Sequence, residues 1–133
     1  MSELRESAER FFSQYEDFFI TPIHKSIFLL GALTKKLLNI QYQERNSTPF
    51  RKNLKGLRMN EKDFKGLLPK VINKLEEYNK NYYKSLESLI SEYFIEAGIN
   101  YKINTEELNF YFVLGMSLDE VIFKALNLSP KEV

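Results

Sequence analysis

The most apolar stretch of the chain, Ile27 to Ile40, reads IFLLGALTKKLLNI. Its apolar residues go around much of a helix's circumference instead of forming one stripe. A helix of that kind is buried among others, so the stretch reads as the inner helix of a bundle. Gly31 lies within it and costs roughly 1 kcal/mol of helix propensity. Close approach of a neighbouring helix accounts for a glycine there. The longest wholly apolar run, Ile27 to Leu33, is far short of the roughly 20 residues that span a bilayer. Thr21-Pro22 supplies the start signal, because Thr is a good N-cap and Pro suits the first helical position. A helix is predicted from Pro22 to about Gln43.

The helical period continues on both sides. Upstream, Leu4, Ala8, Phe11, Tyr15 and Phe18 step by 4, 3, 4, 3 and predict one helix face. Downstream, Arg45 to Thr48 reads as a loop. Thr48-Pro49 repeats the start signal, and Phe50, Leu54 and Leu57 predict a short helix. Asn60 is a cap for the next, with Glu61 and Asp63 in the first turn, where the helix dipole favours carboxylates. Phe64, Leu68, Val71, Leu75 and Tyr78 form its face. Pro69 lies inside this pattern and predicts a kink or a break near Leu67. Tyr82, Leu86, Leu89, Tyr93 and Ala97 make a further face, closed by Gly98 as a C-terminal αL residue. After the connector INYKIN, Asn104 or Thr105 caps a last helix with Glu106 and Glu107 in its first turn. Its predicted face is Tyr111, Leu114, Leu118, Val121 and Ala125. The expectation is all-α, a compact bundle of five to six helices forming a single domain over residues 1–133, with no strand.

Composition agrees. The chain has 133 residues, 44% of them hydrophobic and 14% aromatic, enough to bury roughly two-thirds of its unfolded surface. It has no cysteine. That excludes disulfides and thiolate metal sites and favours a reducing compartment. The N-terminus MSELRESAERF is charged and lacks the apolar core of a secretory signal. A soluble cytoplasmic protein is expected.

The net charge is only +1, yet the charge is strongly polarised. Residues 1–24 carry net −3, residues 25–74 net +9 and residues 75–133 net −5. Arg51, Lys55, Arg58, Lys62 and Lys65 step by 4, 3, 4, 3, one stripe on a continuous helix. Asn60 interrupts it, which leaves Arg51, Lys55 and Arg58 as one cluster. The apolar stripe Phe50, Leu54 and Leu57 is offset by one residue, about 100° around the axis. Arg45, Lys52, Lys35, Lys36, Lys70 and Lys74 complete the basic block. A solvated surface face is the ordinary reading of such lysines. Against it, the block reads as short of the Glu partners at i±4 that a solubility face carries. Its glycines and asparagines also let the backbone approach a phosphate chain. A polyanion is then the natural partner, bound through its backbone without base reading. Most of the aromatics fall on core faces. Tyr42, Phe50 and Tyr101 are the candidates for exposure.

The residues that catalysis requires are missing from the pattern. His24 is the only histidine and reads as a packed or surface residue. Thr21, not a glutamate, stands three before it, so the Glu-x-x-His pairs of carboxylate-bridged metal bundles are absent. The pairs Glu76-Glu77, Glu106-Glu107 and Asp119-Glu120 diverge around a helix. Glu92 and Glu96 share a face with no third ligand in view. There is no Gly-rich phosphate loop. No catalytic residue, metal ligand or cofactor is read, and the expectation is a protein that is not an enzyme.

The segments FLLGALTKKLLNIQY (Phe28–Tyr42), PFRKNLKGLRMNEKDFKGLLPKVINKLEEY (Pro49–Tyr78), SEYFIEAG (Ser91–Gly98) and NFYFVLGMSL (Asn109–Leu118) resemble a known family. They look like the C-terminal helical region of the large subunit of type I-B CRISPR Cascade complexes. That region is similar to the separate small subunit, which can be made from an internal start in the large-subunit gene. The likeness covers about residues 23–123, and GLRMNEKD is its most specific part. It implies an all-helical small subunit, present in several copies beside the large and backbone subunits. Such subunits help hold the guide RNA–target heteroduplex and contact the displaced non-target DNA strand in antiviral defence. It implies no nuclease activity, which is left to a recruited helicase-nuclease. Recognition of the protospacer-adjacent motif belongs to N-terminal regions that this sequence lacks, and a start at Met1 fits a free small subunit. The basic block then serves as an electropositive path for single-stranded DNA. Acidic ends of one copy pairing with the basic middle of the next is a further expectation. The competing reading is a helical interaction module whose basic block docks on an acidic partner subunit.

Overall fold

The structure, a computed structural model, describes residues 2–44, 59–78, 80, 83–98 and 104–128. Its inner helix is α2 (Pro22–Glu44). Every residue from Ser26 to Thr34 is buried, as an apolar pattern without a polar face requires. The two hydroxyls in that run are satisfied within the helix. Ser26 Oγ donates to the Ile23 carbonyl at 2.9 Å and Thr34 Oγ1 to the Leu30 carbonyl at 2.8 Å. Around α2 stand α3 (Glu61–Glu77), α4 (Lys84–Ala97), α5 (Thr105–Ser117) and α6 (Asp119–Ala125), while α1 (Glu3–Ser13) lies against α4 and α6. Among the described residues there are six helices and no strand, so the fold is all-α. None of these helices is long and apolar enough to cross a membrane.

Gly31 does what its position predicts. A Cβ added there would stand 2.1 Å from the Phe112 carbonyl oxygen of α5, and one added at Gly115 would stand 1.9 Å from the Phe28 carbonyl oxygen of α2. The two helices therefore meet backbone to backbone through a reciprocal pair of glycines. Gly115 was not singled out in the sequence, because its role exists only opposite Gly31.

Four expectations are corrected. The first helix ends at Ser13, and Tyr15 and Phe18 are half-exposed, not core. The chain turns over residues 14–18, with the Phe18 and Phe19 N–H groups both bonded to the Tyr15 carbonyl. That turn brings Phe19 to 4.6 Å from the Phe12 ring and 4.9 Å from the Phe28 ring. Helix α3 runs through Pro69 without the break expected near Leu67. The proline is on the exposed side, as is Lys65, whose carbonyl loses its helical donor, so water can hydrate that group. Gly98 has a positive φ of 69°, but its ψ of −161° lies outside αL, in a region open to glycine. The last predicted helix breaks at Leu118 (φ −111°, ψ 23°). Past the break Val121 and Ala125 are exposed and Ile122, Phe123 and Leu126 are buried. The change of direction sets Phe123 5.4 Å from the Tyr83 ring.

The starts predicted before α3 and α5 hold, while the start at Thr48-Pro49 and the short helix predicted from Phe50, Leu54 and Leu57 lie outside the described residues. Asn60 caps α3 in a reciprocal capping box, accepting from the Asp63 N–H while its own N–H donates to Asp63 Oδ2, both at 2.9 Å. Asn104 caps α5 by accepting from the Glu107 N–H at 2.7 Å.

Candidate nucleic-acid interface

Arg45, Arg51, Lys52, Lys55 and Arg58 lie outside the described residues, as do Phe50 and Tyr101. The remaining six basic candidates fall into three groups. Lys36 is half-buried, with Nζ 3.7 Å from Asp119 Oδ2 and 5.2 Å from the Phe123 ring centroid. It helps bind α6 to α2 and is committed to the fold. Lys65 and Lys74 are exposed but paired along their own helix, to Glu61 at 2.9 Å and to Glu77 at 3.6 Å. The Lys65–Glu61 pair corrects the reading that the block has no Glu partner at i±4. Exposed pairs of this kind hold by about 1 kcal/mol or less, so a phosphate can compete for either lysine. Lys35, Lys62 and Lys70 make no ion pair among the described residues.

Helix α3 gathers Lys62, Lys65, Lys70 and Lys74 on one side. Its core side is Phe64, Leu67, Leu68, Val71, Ile72 and Leu75, and all four lysines are exposed on the remaining arc. A groove of about 490 Å³ runs between α3 and α4, bordered by Lys65, Pro69, Phe94 and Ile95. Tyr42, at the far end of α2, is exposed as expected.

The start of α3 is fixed from α5. Asn109 Oδ1 accepts from the Met59 N–H at 3.3 Å, and its Nδ2 donates to the Met59 carbonyl at 2.8 Å. One amide thus clamps both backbone groups of the residue that follows Arg58. Asn109 was not a candidate. It falls between apolar positions, and no sequence period marks a polar residue that reaches across to another segment.

Several of the acidic residues are occupied in holding the helices together. Arg5 Nη1 meets Glu92 at 2.9 Å, and Arg5 also pairs with Glu96, fastening α1 to α4. Arg5 holds the Glu96 carboxyl below the usual carboxylate range. These two glutamates share a face, as the spacing predicts, and what they hold is a guanidinium. Glu9 bonds Lys25 Nζ at 3.1 Å and the Tyr93 hydroxyl. Burial raises the Glu9 pKa, but its bonds to Tyr93 and Lys25 outweigh that and the net shift is downward. Burial and Glu9 together push the Tyr93 hydroxyl up. His24 is buried, as a packed histidine. Its Nδ1 lies 3.0 Å from Thr21 Oγ1 and 3.4 Å from the Thr21 nitrogen, and its Nε2 lies 2.7 Å from Glu107 Oε2. His24 thereby caps α2 and ties it to α5. Among the described residues no group of three His, Asp or Glu side chains could hold a metal ion.

A family model for the C-terminal domain of CRISPR-associated protein TM1802 matches residues 1–126. The chain belongs to this CRISPR-associated family. The match takes in all six helices and extends past both ends of the likeness seen in the sequence, which began at about residue 23. Neither a comparison with curated proteins nor one with solved structures finds a match. This CRISPR-associated domain carries the lysine side of α3 and the clamp that sets where α3 begins.

Proposed function

We propose that the chain is a non-catalytic small subunit of a type I-B CRISPR effector complex that binds nucleic-acid backbone without reading bases. Its ligands are the displaced non-target strand and the guide RNA–target duplex, and its protein partners are the large and backbone subunits and further copies of itself. The observation that carries this reading is the net +9 of residues 25–74 in a chain of net +1, with Lys62 and Lys70 on an exposed helix side and no ion pair among the described residues. Membership of a CRISPR-associated family supplies the context. Exposed lysines that neutralise phosphates release the counterions condensed on the nucleic acid, and they do so for any sequence.

The test is fluorescence anisotropy of a labelled, mixed-sequence single-stranded DNA at about 50 and about 200 mM salt. Each phosphate contact contributes a slope of about −0.7 in log affinity against log salt on a single strand. Five to six contacts therefore weaken binding by about a hundredfold or more across that range. Arg51→Glu/Lys55→Glu/Arg58→Glu is expected to abolish binding, and Lys62→Glu/Lys70→Glu to weaken it and flatten the salt slope. Absence of binding at low salt, alone and in the reconstituted complex, would replace this reading with docking of the basic block on an acidic partner subunit.

A further inference from the structure

The face of α5 that points away from α2 is apolar and acidic. Leu108, Tyr111, Phe112 and Gly115 are its buried positions. On the opposite side Glu106, Phe110, Val113 and Ser117 follow one another at steps of 4, 3 and 4, and Phe110 and Val113 are 52% and 57% exposed. The linker between α1 and α2 touches α5 at Tyr111. The Tyr111 hydroxyl donates to the Phe18 carbonyl, and the Tyr111 ring lies 5.4 Å from that of Phe110. Beside α5 the linker adds Phe18 and Ile20, 50% and 72% exposed. Phe110 and Val113 are i, i+3 neighbours on one exposed helix face, which sets them apart from singly scattered apolar exposure.

Charge selects what covers it. Glu106 lies one turn before Phe110 on this side of α5, and Glu16 and Asp17 lie in the linker beside Phe18; all three make no ion pair among the described residues. Neither residues 14–20 nor residues 105–117 contain a lysine or arginine. A phosphate chain is repelled here. A segment that sets apolar side chains between cations is complementary in both respects.

We propose that this face docks a cationic amphipathic segment of a partner subunit, with its apolar residues against Phe18, Ile20, Phe110 and Val113 and its Lys or Arg against Glu16, Asp17 and Glu106. Under the function proposed above the chain's own basic block is taken up by phosphates, so the segment belongs to a different protein; in that one respect the inference rests on that reading. The lysine side of α3 and the acidic side of α5 then do different work, one holding nucleic acid and the other protein.

The test replaces Phe110 with the photo-cross-linker p-benzoylphenylalanine in the full chain. The effector complex is purified with that chain in it and irradiated, and the attached peptide is sequenced by mass spectrometry. The expected product is one other subunit, joined at a segment with an excess of Lys and Arg among apolar residues. Phe110→Glu/Val113→Glu changes only exposed positions, so its circular dichroism and melting temperature should match the parent. It is expected to lower incorporation into the complex by about tenfold or more and to leave single-stranded DNA anisotropy unchanged. Cross-linking to nucleic acid, to a second copy of this chain or to an acidic segment overturns the inference. So does no cross-link, or full incorporation of the double variant. Failure of the parent chain to bind DNA would strike the proposed function alone, since the cross-linked peptide is read independently of it.

Discussion

Three glycines show how one residue type carries opposite consequences. At Gly31 and Gly115 an added methyl would fall 2.1 Å and 1.9 Å from carbonyl oxygens of the facing helix, and neither backbone can give way without moving its helix. Gly31→Ala and Gly115→Ala are each expected to destabilise the protein by about 3 kcal/mol or more, read as a lower urea midpoint. Gly66, on the exposed side of α3, has nothing within 4 Å of the added atom. Gly66→Ala should stabilise by about 0.5–1 kcal/mol through helix propensity. If all three shifted the midpoint equally, the close crossing of α2 and α5 would be wrong. Asn109 tests a different contact. Asn109→Ala removes two bonds to Met59 and should cost about 1–2 kcal/mol, with faster hydrogen exchange at the start of α3 and not at the centre of α2.

Among the elements, α3 departs furthest from its local signals. Its start follows them, since Asn60 and Asp63 form the capping box. Asn60→Ala should cost about 1 kcal/mol. Its middle overrides them, because Pro69 stands within one continuous helix. The six buried apolar residues on both sides of the proline hold the helix together against its local cost. Pro69→Ala restores a donor to the Lys65 carbonyl and is expected to raise stability by about 1–2 kcal/mol; a lower melting temperature would mean that the ring itself packs. The opposite happened to α1, where a regular period ran past the end of the helix. Phe12 and Phe19 form the core contact in place of Tyr15 and Phe18, because packing two rings across a turn buries more than extending one exposed face.

For the whole molecule, ionic ties join α1 to α4 and α2. Arg5 holds the Glu96 carboxyl below its ordinary value of about 4.5, and Glu9 is lowered as well. A carboxylate with a depressed folded pKa contributes stability that is complete above its unfolded value and is lost as pH falls through the folded one. The contribution of these groups to the melting temperature should therefore be constant between about pH 7 and 5.5 and should be lost as pH falls below about 4.5. Glu9→Gln/Glu96→Gln should be less stable at neutral pH and lose less on acidification. The same ties explain the arrangement of charge. The acidic ends are partly consumed in holding the helices together, while Lys62 and Lys70 stay without ion pairs among the described residues.

The sequence by itself determined the fold class, the buried course of α2, the cap at Asn60, a cap at Asn104 or Thr105, and the need for close approach at Gly31. Each is a local matter, set by apolar period, by side-chain oxygens near free N–H groups, or by the absence of a Cβ. It also determined the polarity of charge along the chain. Tertiary structure alone decided where α1 stops, that α3 survives its proline, where the last helical stretch breaks, and that Gly115 faces Gly31. It decided too that Lys36 is held by Asp119 and Glu96 by Arg5, and that Phe110 is left outside. Each of these depends on which residues, far apart in the chain, come within contact distance. A one-dimensional pattern gives a side chain its face on the helix, and only packing gives that face its partner.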